Sequence, residues 1–511
     1  MQSNVLDYFE NGAARACPSK IAVVDGDTSV TFVQLRTRAR QAAVAIIERA
    51  DVINQPVAVY LPKSYLVIVA DLGILYSGNI YINLDVKSPQ QRLTNILAHI
   101  GPRLVITTRD RLSSIIAAGI DVNNVLLLDD VESTQMVNTA LLDQRRASII
   151  DTDPICIINT SGSTGTPKGV ALSHRGTIDF MDWVFDTFPL DDKAVIGSLS
   201  PFYFDIYTLE LMLCLTKGAT LVIIPEQLAI FPAKLVEFLT NQRVNFLFWV
   251  PTIMVNIANL GLLTRLDLPD LRTVFFAGEV FPTRQLNIWR RAWPSAQFVN
   301  LYGPIEIHVD CTYNIIDGEM DDDEALSIGV PCRNTDILIL NEANKRCGVD
   351  ELGELCARGS SLALGYWNDP EKTARAFVQN PLNTNYPELI YRTGDLAIRR
   401  ADGRIFLAGR KDYQIKHMGY RIELPEIEHQ VLGIPGVANA CVLYDHPKKS
   451  ITLFYQPADV DVAEATIRHA LAQIFPKYMV PTAFHSMEKL PMNPNGKIDR
   501  NGLMQQLLGG A

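Results

Sequence analysis

Apolar and polar positions follow two alternating patterns along the first part of the chain. Short apolar runs, typical of buried strands, are separated by longer stretches with helical spacing. The strand-like runs are Ile21–Val24, Val57–Tyr60, Leu104–Thr107 and Val125–Leu128, and the helix-like stretches are Phe32–Arg49, Ser64–Tyr76 and Pro89–His99. This alternation predicts βαβ units and a parallel sheet in residues 1 to about 150.

The alternation continues from residue 151 to about 330 and predicts a second wound sheet. Ala219–Ile224 and Val244–Val250 are predicted as strands, with a helix at Phe231–Asn241 between them. From about 330 to 409 the apolar runs shorten and glycines become frequent, which predicts a small antiparallel β unit. Because the pattern of apolar and charged residues changes again after Gly409, we place a domain boundary at Arg410–Asp412. The expected fold is α/β, with an N-terminal domain (1–409) of two doubly wound sheets plus a small β-barrel and a smaller α+β C-terminal domain (410–511).

Composition excludes several classes of protein. A chain of 511 residues is too long for one core, and 48% hydrophobic with 20% charged residues is typical of globular proteins. The net charge of −10 argues against a nucleic-acid partner. No apolar run is long enough to span a membrane, and the N-terminus lacks the pattern of a signal peptide. The 8 cysteines are scattered without a C-x-x-C pair, so we expect reduced thiols and a cytoplasmic location.

The segment Ile157–Val170, I-I-N-T-S-G-S-T-G-T-P-K-G-V, is the most informative stretch. An apolar run leads into glycines and hydroxyl side chains followed by Lys168, a combination that can hold a polyphosphate. It is not a Walker A loop, since Pro167 precedes the lysine and Gly169 follows it. The alternative is a Ser/Gly surface linker. A linker rarely follows a buried strand and carries a single lysine, so the phosphate hypothesis is preferred.

Three further segments carry candidate chemistry. In Asn300–Glu306, N-L-Y-G-P-I-E, the Tyr302 ring is suited to stacking on adenine, and the Glu306 carboxylate is suited to holding Mg²⁺ against phosphates. Asp395 follows a glycine turn and can accept ribose hydroxyls, and Lys497 lies in an Asn-Gly turn from which it can stabilise charge at a phosphate. When each segment is taken alone, the alternative is an ordinary turn or, for Lys497, a surface lysine.

Together and in this order, these motifs resemble the acyl-adenylate-forming superfamily, which includes amino-acid adenylation domains, acyl-CoA synthetases and luciferases. The matches cover nearly the whole chain, and they imply ATP and Mg²⁺ as cofactors. The residues implied in nucleotide binding are Thr160, Ser161, Gly162, Ser163, Thr164, Gly165, Ala277, Gly278, Glu279, Tyr302, Asp395 and Arg410, and those implied in catalysis are Lys168, Glu306 and Lys497, with Glu306 as the metal ligand. One position departs from the family, because Ile305 stands where a threonine usually contacts the nucleotide phosphate.

The resemblance also implies a mobile C-terminal domain. Gly409–Asp412 is similar to the family's linker, with Asp412 at the position about which the smaller domain swivels between two half-reactions. The segment His417–Glu428 is similar to the one that enters the site in the second half-reaction, and Gly419 is the implied point of close approach to the thiol arm.

Ser200–Glu210, S-P-F-Y-F-D-I-Y-T-L-E, resembles part of the substrate pocket of amino-acid adenylation domains. Asp205 corresponds to the carboxylate that pairs with the substrate α-amine, and an aspartate in an apolar stretch is costly unless it meets a cation. The other implied wall positions are Ile206, Leu209, Phe248, Phe275, Ala277, Leu301, Val309 and Asp310. Large apolar walls leave room for a compact apolar side chain, and the pattern is most similar to stand-alone enzymes that activate L-proline. Asp310 does not fit this simply: it can turn away, bind water, or pair with a cationic side chain or a displaced amine.

The expected function is ATP-dependent formation of an aminoacyl-AMP, followed by transfer to a phosphopantetheine thiol. Because the chain ends shortly after Lys497, we expect a separate carrier protein as partner. We also expect a monomer. The alternatives are a D-alanine or β-amino-acid ligase, an acyl-CoA synthetase, which Asp205 disfavours, and a catalytically silent nucleotide-binding regulator, which only Ile305 favours.

Overall fold

The computed structural model describes residues 2–131, 137–161, 167–264, 268–458, 462–492 and 498–509. The α-helices are α1 (Val5–Asn11), α2 (Ala13–Ala16), α3 (Phe32–Arg49), α4 (Tyr65–Tyr76), α5 (Gln90–Ile100), α6 (Leu112–Ala117), α7 (Thr139–Ser148), α8 (His174–Thr187), α9 (Ile206–Lys217), α10 (Pro232–Asn241), α11 (Pro251–Asn259), α12 (Thr283–Ala292), α13 (Pro370–Ala376), α14 (Leu424–Leu432), α15 (Glu464–Ile474) and α16 (Arg500–Gly509).

The strands are β1 (Ile21–Asp25), β2 (Thr28–Thr31), β3 (Pro56–Val59), β4 (Ile80–Asn83), β5 (Leu104–Thr107), β6 (Val125–Leu127), β7 (Pro154–Thr160), β8 (Lys168–Ser173), β9 (Val195–Ser198), β10 (Thr220–Ile223), β11 (Phe246–Trp249), β12 (Thr273–Phe276), β13 (Gln297–Tyr302), β14 (Thr312–Ile315), β15 (Val330–Pro331), β16 (Thr335–Leu340), β17 (Gly353–Gly359), β18 (Gly365–Tyr366), β19 (Phe377–Gln379), β20 (Leu389–Arg399), β21 (Ile405–Arg410), β22 (Gln414–His417), β23 (Tyr420–Glu423), β24 (Val437–Asp445), β25 (Ser450–Pro457) and β26 (Ala483–Ser486).

Two large sheets form the body of the molecule. One has seven strands in the order β18-β8-β7-β4-β3-β5-β6, and the other has nine in the order β15-β14-β13-β12-β11-β9-β10-β1-β2. Their central strands are parallel, and β5, β11 and β12 are buried along their whole length. Strands buried on both faces require nearly continuous apolar sequence, which is why short apolar runs marked them.

The nine-stranded sheet includes β1, which the sequence places with the first parallel sheet. Instead β1 pairs in parallel with β10, about two hundred residues further along the chain, at the register Val23↔Leu221. The apolar pattern of β1 specifies a buried strand but carries no information about its partner. The predicted sheet of residues 1 to about 150 is therefore corrected to one that excludes β1 and extends to β7, β8 and β18.

A third sheet occupies the segment for which the sequence predicts a small barrel. Its five strands are antiparallel, in the order β16-β17-β20-β19 with β21 also on β20. No ladder joins β16 to β19 within the part of the chain that the structure describes, so these strands form an open sheet.

The C-terminal segment builds its own core. The hairpin β22–β23 and the three-stranded sheet β24-β25-β26 pack with α14 and α15 around Ile422, Ile427, Leu453 and Leu471, all of which are buried. The domain boundary at 409/410 stays a prediction. No described helix is both long and apolar enough to cross a membrane.

Candidate active site

The carboxyl ends of parallel strands from both large sheets surround one cavity of about 150 Å³. From the nine-stranded sheet, β11, β12 and β13 end side by side, because Trp249 is in register with Phe276 and Phe276 with Asn300. Crevices at the carboxyl ends of parallel strands are where α/β proteins bind ligands. The predicted site residues that line this cavity are Thr160, Ser161, Asp205, Ile206, Phe248, Ala277, Gly278, Tyr302, Val309, Asp310, Asp395, Arg410 and Gly419.

The predicted nucleotide residues form a connected polar chain. The hydroxyl of Tyr302 donates to Asp395, and the Arg410 guanidinium pairs with the other oxygen of Asp395. Arg410 also donates from Nε and Nη2 to both oxygens of Asp412, at 2.7 and 2.8 Å. Residues from three separate motifs are thereby held in one place, with an aromatic face, a carboxylate and a guanidinium on the same wall.

Gly394 allows this chain to form. Its φ is +75°, and a Cβ at this position would lie 2.9 Å from Arg410 Nη2 and 2.9 Å from Asp412 Oδ2. Only glycine tolerates both the left-handed backbone and the close approach. The glycine that precedes Asp395 is therefore required by the ion pairs around it.

Two carboxyl groups stand on an otherwise apolar part of the wall. Asp205 lies at the start of α9, and burial raises its pKa to about 6 against the opposing charge of Lys416. Asp310 is 2% exposed and its Oδ2 has no hydrogen-bond partner. Burial raises the pKa of Asp310 well above its ordinary value, the neighbouring Asp205 raises it further, and Lys416 opposes both. This wall can hold a cation or the neutral form of a carboxyl group.

The backbone before Asp310 is strained. His308 and Val309 have φ of 46° and 35°, which is unfavourable for a β-branched residue. The buried His308 ring lies between two carbonyl oxygens, with Nδ1 2.7 Å from Ser361 O and Nε2 3.0 Å from Ser173 O. These contacts hold the turn that directs Val309 and Asp310 to the cavity, and strain of this kind is found most often at functional sites.

The hairpin β22–β23 closes the cavity from the C-terminal side. The Gly419 amide donates to Glu279 Oε1 at 2.7 Å, and the other oxygen of Glu279 accepts from the Thr252 amide at 3.0 Å. Gly419 has a φ of +83°, and a Cβ there would lie 3.1 Å from Val250 Cγ1. Glu279, expected beside adenine, anchors the hairpin in this arrangement.

Four alternately charged side chains meet beside the cavity, and we call Lys168, Glu306, Arg421 and Glu423 the charge quartet. Arg421 Nη1 lies 2.7 Å from Glu306 Oε2, Lys168 Nζ lies 3.3 Å from Glu423 Oε1, and Lys168 Nζ lies 3.9 Å from Glu306 Oε1. Burial alone would raise the pKa of Glu306, but Arg421 and Lys168 hold it at about 2. Burial and the charge of Arg421 together lower the pKa of Lys168. Glu306 therefore stays ionised in this arrangement, as a carboxylate that bound a divalent cation would have to be, and the ammonium of Lys168 lies beside it.

Sequence reasoning did not single out Lys416, Arg421 or Glu423. Lys416 lines the cavity, its ammonium lies 5.9 Å from the centre of the Tyr302 ring, and its charge acts on both Asp205 and Asp310. All three residues lie in or beside the segment that the sequence predicted to enter the site. Taken alone, the charges of this segment are typical of a solvated helix start, so the sequence offered no signal that singled them out.

Several predicted residues lie elsewhere. Leu209, Phe275 and Leu301 are fully buried in the core and do not line the cavity in this arrangement, and Asp412 lies beside it. Gly162, Ser163, Thr164, Gly165 and Lys497 fall outside the described residues. The roles assigned to all of these residues stay predictions.

Comparison with protein families decides the identity. Residues 9–367 match the family described as AMP-binding enzyme, and residues 426–497 match the AMP-binding enzyme C-terminal domain. The chain belongs to the AMP-binding enzyme family. As an AMP-binding enzyme, it is similar to gramicidin S synthase 2 of Brevibacillus brevis, with 32% identity over 502 residues that cover 98% of this chain and 11% of that protein. The chain thus spans only a small part of that relative's length.

Solved structures confirm the α/β fold of this AMP-binding enzyme. The Vibrio cholerae adenylation domain AlmE, in complex with glycyl-adenosine-5'-phosphate, matches with a TM-score of 0.84 and 22% sequence identity. The match covers 100% of this chain and 98% of the AlmE chain. A holo NRPS protein containing adenylation and PCP domains, bound to a vinylsulfonamide inhibitor, matches with a TM-score of 0.83 and 24% sequence identity. The match covers 99% of this chain and 84% of the chain of that protein.

Proposed function

We propose that this AMP-binding enzyme activates an amino acid with ATP, forming aminoacyl-AMP and pyrophosphate, and then transfers the aminoacyl group to the phosphopantetheine thiol of a separate carrier protein. The observation that carries the proposal is one cavity lined both by Asp205 and by the chain Tyr302–Asp395–Arg410. A carboxylate for an α-ammonium beside residues suited to adenine and ribose is the arrangement that this reaction needs. AlmE, with its glycyl adenylate, has the same fold.

In the first half-reaction the substrate amine pairs with Asp205, which orients the carboxylate toward the α-phosphate. Asp395 and Arg410 hold the ribose, Tyr302 stacks on adenine, and Lys168 contacts phosphate. Mg²⁺, held by Glu306, would neutralise phosphate charge when bound. Lys497 stabilises the charge that develops at the α-phosphate, a role carried over from the resemblance alone.

In the second half-reaction the hairpin β22–β23 lies on the cavity, as in this structure, with Gly419 close to Val250. The thiol of the carrier attacks the acyl carbon, and AMP leaves. The holo NRPS protein of the same fold contains a PCP domain beside its adenylation domain, which supports a carrier as the acceptor.

We propose L-proline as the substrate, on the basis of the apolar walls formed by Ile206, Phe248 and Val309. Asp310 favours a second candidate, an amino acid with a displaced amine or an additional cation, because its unpartnered Oδ2 belongs to a residue that lines the same cavity. ATP–pyrophosphate exchange separates these possibilities, with a panel of the proteinogenic amino acids, ornithine, D-alanine, β-alanine, 3-aminobutyrate, pipecolate and carboxylic acids that lack an amine. Exchange dominated by proline supports the first candidate, and exchange dominated by ornithine, arginine or a β-amino acid supports the second. Exchange only with carboxylic acids that lack an amine, or with no substrate, contradicts the proposal.

Two variants test the assigned residues in the same assay. Asp205→Ala removes the partner of the substrate amine. Removal of one partner of a buried ion pair costs about 3–5 kcal/mol, so we expect kcat/KM to decrease about a hundredfold or more. Lys497→Ala is expected to abolish exchange while leaving the fold intact. Lys489→Ala, an exposed lysine nearby in the sequence, is the matched control and should behave as wild type. Normal exchange by either active-site variant rejects the role given to that residue.

A further inference from the structure

The segment that carries Asp205 is held by one buried carboxyl group from the other large sheet. Asp71 lies in α4, which connects β3 and β4 of the seven-stranded sheet, and it is completely buried. We propose that Asp71 is a positioning residue for amino-acid binding, which acts through Asp205 by fixing the backbone on both sides of it. This inference rests on the proposed function, since it concerns the residue assigned there to the substrate amine.

One contact holds the chain that follows Asp205. The hydroxyl of Tyr207, the second residue of α9, donates to Asp71 Oδ2 at 2.8 Å. Tyr207 is only 1% exposed, so water does not compete for this hydrogen bond. Because α9 connects β9 and β10 of the nine-stranded sheet, the bond joins helices that belong to different sheets.

A second contact holds the chain that precedes Asp205. The side-chain nitrogen Nδ2 of Asn83 donates to Asp71 Oδ2 at 3.0 Å and to the backbone oxygen of Phe202 at 3.2 Å. Asn83 ends β4 and lines the cavity. The rings of Phe202 and Tyr207 also stack on each other, with centroids 4.2 Å apart. One carboxyl oxygen therefore fixes the backbone around Asp205, directly on one side and through Asn83 on the other.

These contacts require an acceptor at the place of Asp71 Oδ2 and not a negative charge. Both donors are neutral, and burial raises the pKa of Asp71 to about 7 although the hydrogen bonds from Asn83 and Tyr207 lower it. The other oxygen, Oδ1, has no hydrogen-bond partner among the described residues. An amide at this position would keep both hydrogen bonds, whereas an apolar side chain of similar size would leave two buried donors without their acceptor.

We expect a defect confined to the amino acid. Asp71→Leu frees the segment around Asp205, and kcat/KM for the preferred amino acid in pyrophosphate exchange should fall about tenfold or more. The KM for ATP should stay within about twofold of wild type, because Tyr302, Asp395 and Arg410 lie on other elements. Asp71→Asn should behave as wild type, since its amide oxygen accepts the same two hydrogen bonds.

A double-mutant cycle separates positioning from a general effect on the fold. If Asp71 acts through Asp205, the double variant Asp71→Leu/Asp205→Ala should have the same kcat/KM as Asp205→Ala alone. Tyr207→Phe removes one of the two hydrogen bonds and should lose about threefold or more, and it takes the place of Asp71→Leu in the cycle if that variant does not fold. Tyr455→Phe is the matched control, because this buried hydroxyl donates to Val462 O at 3.2 Å in the C-terminal core. It should exchange pyrophosphate as wild type does.

Hydrogen exchange read by mass spectrometry gives a readout that needs no turnover. Asp71→Leu should raise amide exchange in peptides from residues 202–210 and leave peptides from β11 and β12 unchanged. Additive losses in the cycle, a comparable rise in the KM for ATP, a loss in Asp71→Asn as large as in Asp71→Leu, or unchanged hydrogen exchange each overturns the inference. If wild type shows no amino-acid-dependent pyrophosphate exchange, the proposed function is rejected, and the hydrogen-exchange comparison still decides whether Asp71 holds the segment.

Discussion

Burial raises the pKa of both Asp205 and Asp310, and the charge of Asp205 raises the pKa of Asp310 further. The positive charge of Lys416 opposes this rise in the pKa at both carboxyl groups. Lys416 belongs to the hairpin β22–β23, so the charge on the substrate wall depends on where the C-terminal segment lies. Substrate binding and hairpin position are therefore electrostatically linked.

The charge of Asp205 predicts a pH dependence. Burial raises its pKa to about 6, so the carboxylate is neutral at lower pH and no longer attracts the α-ammonium. We expect kcat/KM for the amino acid in pyrophosphate exchange to fall by about tenfold per pH unit below this pKa and to level off above it. The pH profile of wild type checks this, and Asp205→Asn should show no such inflexion. A flat wild-type profile through this range would mean that Asp205 does not bind the amine.

The raised pKa of Asp310 predicts an effect on stability. A carboxyl whose pKa is raised by folding has no effect at pH below its unfolded pKa, and it destabilises the fold increasingly as the pH rises above that value. Asp310→Asn keeps the shape without the charge. We therefore expect a higher Tm than wild type at about pH 8 and almost no difference at about pH 4, near the pKa of an unfolded aspartate.

Calorimetry at both pH values makes this measurement, with Asp402→Asn, an exposed carboxylate, as the control that should change nothing. A variant less stable than wild type at the higher pH would show that Asp310 is ionised and paired in the fold.

Sequence identified the residues whose role is marked by a local turn. Tyr302 and Asp395 stand beside glycines in short motifs, and the structure brings both to the cavity. Arg421 and Glu423 could not be identified in this way, because their partners Glu306 and Lys168 lie 115 and 255 residues away. Taken alone, their segment has the charge pattern of a solvated helix start, and only the tertiary structure turns these charges inward.

At the scale of elements, the hairpin β22–β23 contacts the nine-stranded sheet through the turn at Gly419. Gly419→Ala would place a Cβ 3.1 Å from Val250 and force a left-handed backbone on alanine. We expect transfer to the carrier thiol to slow by about fivefold or more, since the docked arrangement loses about 1 kcal/mol or more from strain and contact. Single-turnover transfer from preformed aminoacyl-AMP to a holo-carrier protein measures this.

Gly403→Ala is the matched control, because Gly403 has a φ of +84° but nothing within 4 Å of the Cβ position. It carries the same backbone strain without the contact and should transfer at the wild-type rate. Val250→Ala combined with Gly419→Ala should restore part of the lost rate. Equal losses in the Gly403 and Gly419 variants would show that strain alone, and not docking against Val250, is responsible.

The elements themselves were largely predictable. α3 spans Phe32–Arg49 as the sequence predicted, since Thr31 and Gln34 form a reciprocal cap at its start. α10 begins at Pro232, one residue later than predicted, because proline favours the first turn of a helix. The pairing of β1 with β10 was not predictable, because apolar periodicity records burial and not the identity of the neighbouring strand.

At the scale of the whole molecule, the described residues form separate hydrophobic cores before and after residue 410. The cluster around Ile427 and Leu471 contains only residues from 415 onward, and the cluster around Leu286 and Trp289 contains only residues of the N-terminal part. Between these parts the contacts described above are mostly ion pairs and single hydrogen bonds, which is typical of domains that move relative to each other. We propose on this basis that residues 410–511 unfold independently of the rest.

Two core truncations of similar volume test this proposal. Ile427→Ala and Leu286→Ala each remove a fully buried aliphatic side chain and should cost about 2–5 kcal/mol in the unit that contains it. In hydrogen exchange across a urea series, Ile427→Ala should lower the urea midpoint of peptides from 424–480 and leave peptides from β11 and β12 unchanged, and Leu286→Ala should do the reverse. If each variant shifts all peptides together, the chain unfolds as one unit. Residue 410 would then mark a point about which two parts of one cooperatively folded structure move, and not the boundary between two independently unfolding domains.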